Sequence, residues 1–97
     1  MDSPEVDSLV SHRRAMRRAT LLALYDAADE SPGPRVTVRV IAQRASADAE
    51  QVLSQLLILE SLELANDVDR TGAALTGHGA VLAERLLCGD DVSAGAL

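Results

Sequence analysis

The sequence predicts a mainly α-helical domain that carries one small β-hairpin. Apolar residues recur at helical spacing in four separate stretches of the chain. The period then changes to that of a strand over residues 63–68, and a turn at 69–72 returns the chain into a second short strand at 73–75. Tyr25 is the single aromatic residue, so the core must be built from Leu, Val, Ile and Ala.

The amino-terminal third of the sequence is expected to be helical from about Pro4 to Glu30. Ser3 can cap this helix, and proline suits a first helical position because its missing N–H needs no partner there. The apolar pattern fits either one helix or two. Residues 31–34, Ser-Pro-Gly-Pro, cannot continue a helix and lead into a short strand at Val36.

Two further helices are predicted in the middle of the chain. Thr37 is a good N-cap for a short helix over 38–45. The next helix is expected to open at Asp48 and to end near Leu62. We expect the Asp48 carboxylate to accept from first-turn N–H groups, with Gln51 reaching back as in a capping box.

The last helix follows the predicted hairpin. Thr76 can cap a helix from about His78 to Cys88, and Gly89 stops it. With 97 residues the chain supports one hydrophobic core. We therefore predict a single domain over residues 1–89 with an amino-terminal helical extension, and a flexible tail over 90–97, where nothing in the sequence supplies an anchor.

Four short fragments of the sequence, taken in chain order, resemble parts of a known domain family. They are Thr-Val-Arg-Val-Ile-Ala at 37–42, the apolar pair Val52 and Leu56, Leu-Glu-Ser-Leu-Glu-Leu at 59–64, and Leu-Thr-Gly-His-Gly-Ala-Val-Leu at 75–82. Together they resemble the winged helix-turn-helix domain of MarR- and PadR-like transcription regulators. The resemblance implies a winged-helix fold with the hairpin as its wing.

The resemblance covers roughly residues 18–87 and implies a small, dimeric, double-stranded-DNA-binding regulator whose third helix approaches the major groove. Two of the family's glycines are replaced here, by Ser46 in the turn between the helices and by Glu63 before the wing. Ser46 must then accept a left-handed conformation or alter the turn. The candidate DNA-binding residues are Arg13, Arg14, Arg17, Arg18, Arg39, Arg44, Ser54 and Arg70.

The charge distribution favours a second interpretation. The net charge is −6, and residues 48–69 contain six acids and no base. Phosphate attraction supplies most non-specific DNA affinity, so an acidic third helix should repel the duplex. The alternative is a winged-helix module that binds a protein partner through Asp48, Glu50, Leu53 and Leu57. A purely structural interpretation also exists for the two acids, as a helix cap and a favourable first-turn charge.

Other functional classes have little support in the sequence. Cys88 is the single cysteine, and with His12 and His78 it forms no recognisable set of metal ligands. We expect no metal, no cofactor and no enzymatic activity, because no spacing places an acid, a base and a nucleophile together. No uninterrupted apolar run, Leu56–Leu59 included, exceeds five residues, which is far too short to cross a bilayer, so we expect a cytoplasmic protein.

A symmetric homodimer is also predicted. The first and last helices carry more large apolar residues than a single buried stripe requires. These residues are Leu21, Leu22, Leu24, Tyr25, Leu86 and Leu87.

Overall fold

The computed structural model describes residues 4–89 and 97. In chain order these form α1 (Pro4–Glu30), β1 (Arg35–Thr37), α2 (Val38–Ala45), α3 (Ala49–Ser61), β2 (Ala65–Asn66), β3 (Gly72–Leu75) and α4 (Gly77–Leu87). The predicted mainly helical class with a small antiparallel sheet is confirmed. The prediction of a flexible tail falls almost wholly on residues 90–96, which lie outside the described part, and Leu97 is buried.

The amino-terminal stretch is one continuous helix, which settles the choice that the apolar pattern left open. α1 packs against α2, α3 and α4, so it is the element around which the domain is assembled. Its second half supplies Leu21 and Leu24 to the core, and both are fully buried. Leu9 and Val10, nearer its start, remain exposed.

The sheet has the strand order β1-β3-β2, with both pairs antiparallel. The predicted hairpin is therefore present as β2 and β3, and β1 adds a third strand on the other side of β3. The strand expected over 63–68 is shorter than predicted. Glu63 and Asp67 have φ values of 64° and 51°, and left-handed backbone on either side of β2 interrupts the extended conformation.

The turn between α2 and α3 uses a left-handed serine. Ser46 has φ 54° and ψ 46°, and its N–H donates to the carbonyls of Ala42 and Gln43, as a glycine would in this position. Asp48 follows as the N-cap residue of α3, but its side chain makes no capping hydrogen bond. The expected capping box is therefore wrong.

The start of α4 is fixed by one cap and one close contact. Thr76 Oγ1 accepts from the N–H of Gly79 at 3.0 Å and donates to the carbonyl of Glu63 at 2.7 Å. The backbone of Gly79 lies so close to the preceding hairpin that a Cβ there would stand 2.0 Å from the carbonyl oxygen of Leu64. The fold therefore requires a residue without a side chain at this position.

The core uses several leucines that the sequence had suggested for a dimer surface. Leu21, Leu24 and Leu86 are buried within the chain, so they are not available for a second copy, and this part of the prediction is wrong. α1 needs the additional leucines because it contacts three other helices at once. Leu22 and Tyr25 are half-buried, and Leu87 is 62% exposed.

The two glycines at the start of α4 give a matched pair for testing this packing. Gly79→Ala should destabilise the fold by about 1–3 kcal/mol, because its methyl group has no room beside the Leu64 carbonyl. Gly77→Ala should change stability by less than about 1 kcal/mol, since nothing lies within 4 Å of the added atom. Urea denaturation of both variants measures the difference, and equal midpoints would contradict the contact.

Candidate interaction surface

The outer side of α3 presents carboxylates and leucines. Asp48, Glu50 and Ser54 are exposed, Leu53 is half-buried, and Leu57 is 50% exposed. Because a helix repeats every 3.6 residues, positions 50, 53, 54 and 57 fall on one side of it. We call this set of Glu50, Leu53, Ser54 and Leu57 the outer face of α3.

The outer face exists because the opposite side of α3 is committed to the core. Val52, Leu56 and Leu59 have no exposed surface, as the inner stripe predicted from the sequence requires. Gln55 is buried beside them with 8% of its surface exposed. The helix can therefore not rotate, and the two exposed or half-exposed leucines cannot be withdrawn into the core.

Glu60, near the end of α3, has a structural role. Its Oε2 accepts from the backbone N–H of Val68 at 3.0 Å and so ties the helix to the hairpin loop. This carboxylate is half-buried, unlike the exposed Glu50. The acidic segment thus contains both structural and free carboxylates, which the charge count alone does not distinguish.

Arg44, a candidate phosphate contact on α2, is bound within the chain. Its guanidinium donates to the carboxylates of Asp26 and Glu30, both on α1. These hydrogen bonds raise the pKa of Arg44 above its usual value. A phosphate would have to compete with two carboxylates for this side chain.

The hairpin loop is organised around Asp69. Its Oδ1 accepts from the N–H and hydroxyl of Thr71, from the N–H of Gly72, and from Arg35 Nη2 at 2.6 Å. Arg35 also donates to the carbonyls of Asp67 and Gly72. Arg70 is exposed at the tip of this loop.

The arginine cluster of α1 is divided by the structure. Arg13, Arg14 and Arg18 are exposed, whereas Arg17 is half-buried and turns towards α3. Its Nε donates to Gln55 Oε1 at 3.1 Å. The basic cluster is therefore three exposed cations and one cation used inside the domain.

Arg39 is the remaining candidate cation, and it is exposed on α2. Of the eight candidate DNA-binding residues, Arg17 alone is half-buried, and the others are exposed: Arg13, Arg14, Arg18, Arg39, Arg44, Ser54 and Arg70. Arg17 and Arg44 are held by side chains of neighbouring helices. The exposed cations are distributed over α1, α2 and the hairpin tip, and the outer face of α3 carries none of them.

Sequence reasoning missed the contact between Arg17, Gln55 and Leu97, in which Arg17 Nη1 donates to the carbonyl of Leu97. The one available signal was Gln55, a polar residue at the buried spacing of Val52 and Leu59. The partners lie 38 and 80 residues apart in sequence from Arg17, so no local pattern links them.

No known family model, curated protein or solved structure matches this chain. Within the described residues, no three His, Cys, Asp or Glu side chains converge in a way that could hold a metal ion. None of the helices that the structure describes is both long and apolar enough to cross a membrane.

The hydrogen bonds that Asp69 accepts in the hairpin loop should make the stability of this loop sensitive to acid. The hydrogen bond from the Thr71 hydroxyl, followed by that from Arg35, holds the pKa of Asp69 well below its usual value. The loop's contribution to stability is therefore complete above the ordinary carboxyl pKa of about 4 and is lost as pH falls below it. A carboxyl-carbon NMR titration should place the Asp69 midpoint below the normal range.

Two substitutions separate the causes of this shift. Thr71→Val and Arg35→Gln should each raise the Asp69 midpoint, because each removes a hydrogen bond that the carboxylate accepts. A wild-type midpoint at the ordinary aspartate value would contradict the hydrogen-bond pattern of the loop.

Proposed function

We propose that this chain is a winged-helix interaction module that binds a protein partner through the outer face of α3. The observation that carries the proposal is the composition of that face. Glu50, Leu53 and Leu57 put negative charge and apolar surface where a DNA-reading helix would present cations and hydrogen-bond donors. The winged-helix assignment is supported by the element order and by the three-stranded sheet beside the helices.

The partner's chemistry follows from the same residues. Leu53 and Leu57 are four residues apart on one helix, so their side chains are neighbours and form a small apolar centre. Glu50 and Asp48 lie at the amino-terminal edge of that centre. A complementary partner is an amphipathic helix with two or three apolar anchors flanked by Arg or Lys. We propose no catalytic role for this module.

The internal ion pairs support this choice over DNA. A phosphate-binding surface needs cations that are free to meet the backbone of the duplex. Arg44 is paired with Asp26 and Glu30, and Arg35 with Asp69. Two of the three arginines between residues 31 and 47 therefore already have carboxylate partners.

DNA binding, the function that the resemblance implies, is the second candidate, and one observation favours it. Arg39 on α2 and Arg70 at the hairpin tip are exposed, as are three arginines of α1. The first helix of a helix-turn-helix, which is α2 here, crosses the phosphate backbone of bound DNA, so Arg39 is well placed for such a contact. In this alternative the chain is a small DNA-binding transcription regulator whose affinity comes from the arginines and not from α3.

The first experiment tests the outer face directly. A display library of random 16-residue peptides is selected against the wild-type protein, and enriched peptides should combine Leu or Ile at helical spacing with Arg or Lys. Leu53→Asp and Leu57→Asp should each weaken binding by tenfold or more, because they bury a charge in an apolar contact. Val81→Asp, at a 51% exposed site on α4, should leave binding unchanged.

Selected peptides that bind the Leu53→Asp and Leu57→Asp variants as well as wild type would overturn the proposal. Circular dichroism of both variants serves as the folding control. Neither position contributes to the buried core, so both should keep the wild-type spectrum.

The second experiment tests DNA binding with a matched pair of arginines on α2. If DNA is the ligand, Arg39→Gln should lower affinity for random duplex and flatten the salt slope by about one unit. Arg44→Gln should have a smaller effect, because Asp26 and Glu30 already hold that side chain. No binding by the wild-type protein at low salt would exclude this candidate.

Dimerisation is proposed through the apolar side chains that the core leaves exposed. Leu22 and Leu87 line the same shallow cavity, beside Ala19 and Tyr25. The Tyr25 hydroxyl donates to Glu84 Oε1 at 3.2 Å, and this hydrogen bond links α1 to α4 beside the cavity. This surface includes parts of both helices and is suited to an isologous contact.

Leu87→Asp should abolish the dimer because it places a charge in that contact. Light scattering at high micromolar concentration should give the mass of two 10.2 kDa chains for wild type and of one chain for the variant. A wild-type protein that stays monomeric under these conditions would disprove the dimer.

A further inference from the structure

The core-facing stripe of α1 continues towards the start of the helix, where the domain no longer covers it. Leu9 and Val10 lie about three helical turns before Thr20 and Leu21, which are fully buried, so both pairs project from the same side of the helix. All residues from 9 to 15 are nevertheless exposed, and Leu9 and Val10 keep 49% and 45% of their surface. An apolar pair thus extends a core stripe that the described chain leaves uncovered.

Two arginines follow this apolar pair one turn further along α1. Arg13 and Arg14 are the fourth residues after Leu9 and Val10, so each arginine neighbours one apolar side chain. Both arginines are exposed, and the ion pairs that the described residues form lie elsewhere in the chain. We call this set of Leu9, Val10, Arg13 and Arg14 the basic end of α1.

The basic end has the chemistry that the outer face of α3 requires of a partner. That face combines Leu53 and Leu57 with the exposed carboxylate of Glu50. The basic end is helical and combines two exposed apolar side chains with two adjoining cations. The two surfaces are therefore complementary in both charge and apolar contact.

From this complementarity we propose that the basic end of α1 of one copy docks on the outer face of α3 of a second copy. The inference rests on the proposed function, because it names the partner of that face. The contact cannot form within one chain, since α3 turns its inner stripe towards the core that it shares with α1. Pairing of two basic ends is disfavoured, because it would place like charges side by side.

The order of residues on the two helices sets the direction of this contact. In α1 the arginines follow the apolar pair, whereas in α3 Glu50 precedes Leu53 and Leu57. The apolar side chains can meet while the arginines meet Glu50 only if the two helices run antiparallel. So few anchors make a small interface, which is weak and transient. It adds to the dimer surface at Leu22 and Leu87 and does not replace it.

Paramagnetic relaxation between two full-length chains tests the contact. One chain is ¹⁵N-labelled, and the other carries a nitroxide attached through Ser11→Cys, with Cys88→Ser to remove the exposed native thiol. Both chains carry Leu87→Asp, which removes the proposed dimer surface, and each is present at about 1 mM because a small contact is weak. The nitroxide should broaden the amide signals of Leu53 and Leu57 in the ¹⁵N-labelled chain.

A charge exchange provides the matched control. Arg13→Glu with Arg14→Glu on the nitroxide chain should remove this broadening, and so should Glu50→Arg on the ¹⁵N-labelled chain, because each change places like charges together. Mixing the two changed chains should restore the broadening. A nitroxide attached through Val81→Cys, at an exposed site on α4, should leave the outer face of α3 unbroadened.

Absence of broadening at the outer face, or broadening that the charge exchange does not alter, would overturn the inference. Broadening of Leu9 and Val10 in its place would show that α1 pairs with α1. Absence of broadening, with shifts of those two amides on addition of duplex DNA, would assign the basic end to phosphate. The selected library peptides separate the two failures: if they still bind the outer face, the proposed function stands and only this inference fails.

Discussion

The burial of one side of α3 against α1 is the constraint on which the rest of the structure depends. Leu56 and Leu59 on α3 and Leu21 and Leu24 on α1 are fully buried in one cluster. Because the core is filled with aliphatic side chains and not aromatic rings, many closely fitted leucines are needed to close it. This packing fixes the rotation of α3, and with it the residues that α3 offers to a partner.

This packing determines which charged side chains are paired within the chain and which face solvent. Where helices meet, two arginines bind side chains of a neighbouring helix: Arg44 joins α2 to α1, and Arg17 joins α1 to α3. The outer face of α3 receives no such partner and keeps the negative charge of Glu50. The proposed preference for a protein over DNA therefore comes from the pairing of arginines within the chain, not from the net charge of −6 alone.

Local features of the fold could be predicted from the sequence because their physical causes are local. The caps at Thr37 and Thr76 and the buried stripe of α3 depend on residues within one or two helical turns. The short β2 could not be predicted, since the pattern of alternation does not reveal that Glu63 and Asp67 adopt left-handed backbone. The partners of Arg17 and Arg44 depend on how helices meet in space, which a single sequence does not encode locally.

The central claim is that the outer face of α3 is not a DNA-reading surface. An amide NMR titration of the ¹⁵N-labelled wild-type protein with a 20-base-pair duplex at low salt tests it most directly. We expect the amides of Glu50, Leu53 and Leu57 not to shift, because two carboxylates at the start of α3 repel phosphate. Saturable shifts centred on those three residues would contradict it.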